Sequence, residues 1–278
     1  MPVATRDGAE IHYEVRGGGP PLVLLEGLGY GSWMWRNQVD ALSRNHQLVM
    51  VDNRGISPSS PLRGPYSIER FARDALATLD AEGIERASFL GVSMGGLIGQ
   101  AVAAIAPQRV ERLVLVSTSP GGPEALPMPP ATWAEITRLV PGETPVDRVR
   151  RTMAIALTPD FVAERASELE DLLRARLAAP LDPTQFLYQA QSALTFDATA
   201  TDRTVERPSL IMTGTEDRVL PWTNSLLLFR LLRSPSLLLF RGQNHLIFLE
   251  RAAEFNRAVT EFLSRPVDAR PSIREVGA

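Results

Sequence analysis

Residues 87–96 read ASFLGVSMGG. A short apolar run, Ala87–Leu90, stops at Gly91, and a helical pattern begins at Gly95. Between them lies Gly91-Val92-Ser93-Met94-Gly95, the pattern G-x-S-x-G. In a strand–turn–helix setting this pattern puts a serine on a very sharp turn, with a strained backbone and an outward-pointing hydroxyl. Side chains two residues before and after it would collide with neighbouring backbone, so glycine fills both places. Without that setting the same residues are an ordinary glycine-rich βα turn. The rest of the chain must therefore supply the setting, and partners for the serine.

Working outward, short apolar runs alternate with longer helical patterns. The runs Ile11–Val15, Leu22–Leu25, Leu48–Val51, Ala87–Leu90, Leu113–Val116, Leu210–Thr213 and Leu237–Phe240 read as strands. Most are continuously apolar over four or five residues, as suits central parallel strands buried on both faces. Helical patterns cover Trp33–Leu42, Ile68–Glu82, Gly95–Ala106, Trp222–Leu232 and Arg251–Leu263. The alternation predicts an α/β fold, a mostly parallel central sheet with helices on both faces. From about Pro120 to Arg207 the rhythm breaks: a proline-rich loop, SPGGPEALPMPPAT, leads into charge-laced helical segments with no strand-like run. This stretch reads as a helical insertion, a cap. The expected organisation is a core of residues 1–119 and 208–265, a helical cap of 120–207 and a loosely held polar tail of 266–278.

Composition narrows the chemistry. The 278 residues contain no cysteine, which removes disulfides, thiol nucleophiles and thiolate metal sites. They contain no lysine either, since all 29 basic residues are arginine, which removes Schiff-base catalysis. A net charge of −3 gives no electrostatic footprint for nucleic acid. No signal-like leader and no apolar run of membrane-spanning length is present, so a cytoplasmic location is expected. A mechanism that needs histidine has only His12, His46 and His245 to draw on. None is spaced as a helical zinc pair, and no metal or cofactor is expected. The expected partner is a small-molecule substrate, without nucleic acid or membrane; a homodimer is left open.

Taken together, HYEVRG, DNRGISPS, GVSMGGLIGQ, LVLVSTSP, GTEDRVLP and GQNHLIFLE fall in the order found in α/β-hydrolases. Over nearly its whole length the chain resembles that family, of the serine esterase or lactonase type. The resemblance implies that Ser93 is the nucleophile, that His245, in the loop after the last apolar run, is the base, and that Asp217 is the acid orienting it. Glu216 is the neighbouring competitor for the acid. Asp52 and Arg54, in the DNRG turn, read as loop-holding residues. The resemblance also implies an oxyanion hole made by the backbone N–H groups of Met94 and Leu28.

One residue departs from the family pattern. Residues 24–35 read LLEGLGYGSWMW, with Glu26 where the family usually has histidine. The structural reading has Glu26 holding the loop through hydrogen bonds. The alternative has its pKa raised by desolvation, making it a modulator of proton transfer. A charged glutamate beside a developing oxyanion would oppose catalysis.

Trp133, Phe161, Phe186, Tyr188, Trp222 and Leu246 are candidates for a mainly apolar substrate pocket, with Met128 and Ile247 beside them. The expected reaction is hydrolysis of an uncharged ester or lactone of moderate size through an acyl-enzyme. The alternatives are C–C bond hydrolysis, perhydrolysis, or a non-hydrolytic cyclase or receptor on the same fold. A carboxylate substrate would call for a cap arginine such as Arg138, Arg148 or Arg151.

Overall fold

The computed structural model describes residues 1–61, 66–179, 182–266 and 272–277. The strands are β1 (Val3–Arg6), β2 (Ala9–Arg16), β3 (Pro21–Leu25), β4 (Gln47–Val51), β5 (Ala87–Val92), β6 (Val110–Val116), β7 (Ser209–Gly214), β8 (Pro235–Phe240) and β9 (Ser272–Val276). The α-helices are α1 (Val39–Leu42), α2 (Ile68–Ala81), α3 (Met94–Ile105), α4 (Pro130–Thr137), α5 (Pro145–Ile155), α6 (Pro159–Glu164), α7 (Ala166–Ala178), α8 (Pro183–Leu194), α9 (Thr199–Asp202), α10 (Thr223–Leu231), α11 (Ile247–Glu250) and α12 (Ala252–Ser264). The strands form one nine-stranded sheet in the order β1-β2-β4-β3-β5-β6-β7-β8-β9. β2 pairs antiparallel with β1 and β4, and every other neighbouring pair is parallel.

Side-chain alternation divides the core into two layers. Val23, Leu25, Phe89, Leu113, Leu115 and Ile211 face one buried cluster, with α2 and α3. Leu22, Leu24, Leu90, Val114, Val116 and Met212 face the other, with α11 and α12. A strand buried on both faces must be apolar at every position, which explains the continuous runs. α2 is apolar on one stripe only, Ile68, Phe71, Ala72, Ala75 and Leu79, the spacing of a helix laid on a sheet.

Two strands and one helix differ from expectation. The expected helix Trp33–Leu42 is a 3₁₀ segment, Ser32–Asn37, followed by the short α1. The tail is not loosely held throughout: Ser272–Val276 forms β9, paired in parallel with β8, while 267–271 and 278 lie outside the described residues. β1 and β9 are the sheet edges, with polar, partly exposed side chains, so no apolar run marked them.

Helices α4–α9 all lie between β6 and β7 in the chain. Thr144, Thr158 and Asp182 cap the N-termini of α5, α6 and α8, each followed by proline at the first helical position. The two ends of this segment meet. Gly122 N–H donates to Phe196 O at 2.9 Å, Ala198 N–H to Pro120 O at 2.8 Å, and Gly121 pairs with Asp197 across one antiparallel bridge.

Candidate active site

Ser93 stands between the buried strand β5 and α3 with φ 54° and ψ −117°, a left-handed conformation that costs a non-glycine residue about 1–3 kcal/mol. The fold over-determines it. Ser93 N–H donates to Val116 O at 2.8 Å, and Ser93 O accepts from Gly96 N–H at 2.9 Å and Thr118 Oγ1 at 2.8 Å. A Cβ on Gly91 would lie 2.1 Å from Gly95 O, and one on Gly95 would lie 2.0 Å from Leu25 O. Both obstacles are backbone, so neither site tolerates a side chain. The turn therefore presses directly on the end of β3.

The expected acid and base, Asp217 and His245, follow the ends of β7 and β8. Asp217 Oδ1 accepts from the N–H groups of Val219 and Leu220, both at 2.8 Å. Its Oδ2 lies 2.8 Å from His245 Nδ1, and both side chains are buried. A carboxylate can only accept, so Nδ1 carries the proton and Nε2 is left as the basic nitrogen. Glu216, the competitor, makes no such contact among the described residues; its backbone N–H donates to Gln243 O. His12 lies in β2 and His46 just before β4.

The end of β6 ties these groups together. Val116 O receives the Ser93 N–H, and the next residue, Ser117, donates from Oγ to His245 O at 2.9 Å. Ser117 itself has φ 45°. Asn244 adds a second tie: Oδ1 accepts from Arg218 N–H, and Nδ2 donates to Ile155 O and Leu157 O at 2.9 and 2.8 Å. Asn244 thus joins the acid loop, the histidine loop and the helical segment. Sequence reading singled out neither Ser117 nor Asn244. Their nearest signal was position, beside the apolar run of β6 and beside His245.

The loop after β3 passes against Ser93: a Cβ on Gly27 would lie 3.6 Å from Ser93 Cβ. Residues 27–30 close a turn through Tyr30 N–H to Gly27 O at 3.1 Å, with Gly29 at φ 73°, the type II arrangement that requires glycine at its third position. Among the described residues, no hydrogen bond engages the backbone N–H of Leu28 or Met94.

Glu26, where β3 meets this turn, is fully buried. Asn53 Nδ2 donates to Oε2 at 3.3 Å, and Oε1 has no partner among the described residues. Burial first, and then the Asp52 carboxylate, push its pKa well above the usual carboxylate range. Asp52 is itself raised by burial, against the opposing hydrogen bond from Ser32 N–H at 2.7 Å. Arg54 grips Asp74 through two bonds, at 2.6 and 2.8 Å, which fixes the DNRG turn as expected.

The pocket candidates separate. Tyr188 and Trp222 pack partly buried on the same cluster as Leu28. Phe161 and Leu246 are buried in the other cluster, with Ile247, and Arg165 lies over the Phe161 ring. Phe186 is half-buried on α8, and Trp133 is exposed on α4. Among the arginines considered, Arg138 pairs with Glu135, and Arg151 with Glu143 and Glu135. Arg176, not considered from sequence, is half-buried and reaches the loop at Gly29. Among the described residues, no cluster of three or more His, Asp or Glu is placed to hold a metal ion, and no helix is long and apolar enough to cross a membrane.

The fold has counterparts among known proteins. The family model of the alpha/beta hydrolase fold matches residues 20–252. A protein of Azorhizobium caulinodans, RutD, named as a carbamate hydrolase, is 32% identical over 222 residues, covering 80% of this chain and 82% of its own. A 2-hydroxy-6-oxononadienedioate/2-hydroxy-6-oxononatrienedioate hydrolase of Paraburkholderia xenovorans is 30% identical over 272 residues, covering 92% and 91%. The solved structure of an enol-lactonase from Burkholderia xenovorans superposes with a TM-score of 0.81 at 27% identity, covering 95% of this chain and all of that one. The chain belongs to the α/β-hydrolase fold family, and it is an enzyme of that family.

Proposed function

We propose that the protein is a serine hydrolase that cleaves a carboxylic ester or lactone of a moderately sized apolar molecule. The observation that carries this reading is the buried Asp217–His245 pair, 2.8 Å apart, tied through Val116 and Ser117 at the end of β6 to a serine held at positive φ. Asp217 holds the imidazole in the tautomer whose Nε2 can take a proton. Nε2 removes the Ser93 hydroxyl proton as Oγ attacks the substrate carbonyl. The resulting oxyanion is stabilised by the amides of Leu28 and Met94. Collapse breaks the C–O bond to the alcohol, which leaves with the proton from Nε2, and an acyl-enzyme remains on Ser93. A water, deprotonated by the same nitrogen, attacks the acyl carbonyl and frees the acid and the serine. In a lactone the departing alcohol stays tethered to the acyl group, and hydrolysis delivers a hydroxy acid.

In this reading Glu26 serves the loop as a neutral acid. Neutrality removes the conflict between a carboxylate and the developing oxyanion. The enol-lactonase likeness supports a ring-opening ester chemistry, and the partly buried Tyr188 and Trp222 beside Leu28 support an apolar acyl site.

The test is turnover of p-nitrophenyl esters of increasing acyl length, and of a lactone series, by wild type and Ser93→Ala. The expected result is turnover in the wild type and a loss of at least about a thousandfold in kcat for Ser93→Ala. Equal turnover by the two proteins, or none in the wild type on any ester or lactone, would sink the proposal.

A further inference from the structure

The turn that carries the Leu28 amide is held by the helical segment that lies over it. Gln189, on α8, is fully buried. Its Oε1 accepts the Gly29 N–H at 2.9 Å, and its Nε2 donates to Arg54 O at 2.9 Å. Arg176, on α7, donates from Nη1 to the Gly29 carbonyl, and its guanidinium carbon lies 5.5 Å from the Tyr30 ring centroid. The two peptide groups flanking Gly29 are therefore each gripped by a side chain from a different helix of the segment. Gly29 is itself buried and adopts φ 73°.

The geometry has a definite consequence. In a type II turn the central peptide, Leu28–Gly29, has the opposite orientation from that in a type I turn. The acceptor Gln189 Oε1 selects the orientation in which the Gly29 N–H points at it. Arg176 fixes the next peptide, and Arg54, locked to Asp74, gives the Gln189 amide a rigid anchor. Glycine is the most conformationally permissive residue, so without these contacts the turn would sample alternatives. Arg176 is half-buried, and its partners among the described residues are the Gly29 carbonyl and the Tyr30 ring rather than a carboxylate. That placement is costly unless the guanidinium is used where it lies.

We propose that Gln189 and Arg176 are positioning residues that set the Leu28 amide of the oxyanion hole, so that the helical segment governs the rate of the chemical step as well as substrate fit. This rests on the serine-hydrolase reading above. The two side chains touch the loop and not the reacting atoms. Their effect belongs to the transition state, where the oxyanion exists, rather than to the bound substrate.

The test uses the full-length protein with Gln189→Met, Arg176→Met, the double variant and Arg176→Lys. Circular dichroism and thermal melts establish that each is folded. Three quantities are read: kcat and KM on the best p-nitrophenyl ester, the rate at which a fluorophosphonate labels Ser93, and the affinity for an alkyl boronic acid that forms a tetrahedral adduct with the serine. Each methionine variant is expected to lose about 10–100-fold in kcat and in labelling rate, with KM changed less than about threefold. Boronate affinity should fall in step with kcat/KM. The double variant should lose less than the product of the two single losses, because both contacts hold one residue. Arg176→Lys, which keeps a charged donor for the Gly29 carbonyl, should recover part of the loss. Folded variants with unchanged kcat, or with the whole loss in KM and boronate binding intact, would overturn the proposal. Absence of Ser93-dependent labelling in the wild type would overturn the hydrolase reading, and this proposal with it.

Discussion

Met94 and Leu28, the two amides assigned to the oxyanion, are held by different kinds of structure. Met94 belongs to a turn that holds itself. Its glycines press on backbone a few residues away or on the neighbouring strand end, and its serine is strained in place by β5, β6 and α3. Leu28 belongs to a turn held from outside, by side chains 147 and 160 residues further along the chain. The first arrangement is rigid because nothing can move without a backbone collision. The second is only as firm as the seating of the helices that supply its partners. One half of the site is part of the sheet, and the other is adjusted by the segment that covers it.

That contrast can be broken most severely at Gly95. The Cβ of Gly95→Ala would meet the Leu25 carbonyl at 2.0 Å, and neither backbone can yield. The expected outcome is a loss on the order of 4 kcal/mol in urea unfolding, or failure to fold, together with loss of esterase activity. A soluble Gly95→Ala protein of wild-type stability would show that the turn is softer than its contacts imply.

Glu26 sharpens the comparison on the other side. Its folded pKa is raised, so the native state holds its proton longer than the unfolded chain does. Stability is unaffected below its ordinary pKa of 4.5 and declines as pH rises above it, because the native state must keep a proton that the unfolded chain gives up. Glu26→Gln removes that dependence. Thermal melts from pH 5 to 9 should show the wild type losing more stability than the variant. Activity of Glu26→Gln at pH 7 should stay within about threefold, because the Leu28 amide does not depend on the side chain at 26. A loss of more than about a hundredfold in a folded variant would make Glu26 part of the chemistry.

The smallest effect on activity is expected at Asp202, where α9 returns the chain towards β7. It is fully buried, and neither carboxylate oxygen has a partner among the described residues. Burial, and then Asp197, push its pKa up to about 7. Its cost is absent below the ordinary value of 3.8, grows as pH rises towards 7, and is constant above that. Asp202→Asn should therefore leave stability unchanged near pH 4 and raise it at pH 8. Equal stability of the two proteins at pH 8 would mean that the carboxylate finds a partner in solution.

The same contrast explains what could be read in advance. Ser93 and its glycines are contiguous, because a sharp turn is a local demand, and a local demand leaves a local motif. Asp217 and His245 each follow an apolar strand, so the strand pattern places them. The partners of Gly29 leave no such trace. Gln189 and Arg176 are ordinary residues on helix faces, and only the packing of α7 and α8 gives them a role. Buried strands were legible because both faces are apolar; β1 and β9 were not, because an edge strand must stay polar to discourage pairing with other chains. Glu26 stood out as a departure from the family pattern, but the upward shift of its pKa follows from three-dimensional burial, which no stretch of sequence displays.

The helical segment leaves the sheet after β6 and re-enters before β7 at an antiparallel bridge, Gly121 against Asp197. Such a junction resembles a socket, into which a different insert could be spliced. The contacts at Gly29, and those of Asn244 with Ile155 and Leu157, make the exchange less simple. A transplanted insert would bring its own grip on the turn, or none. Evolution or an engineer trading one insert for another would therefore alter how fast the enzyme works together with what it accepts. A graft intended to change specificity alone would have to carry Gln189 and Arg176 across with it.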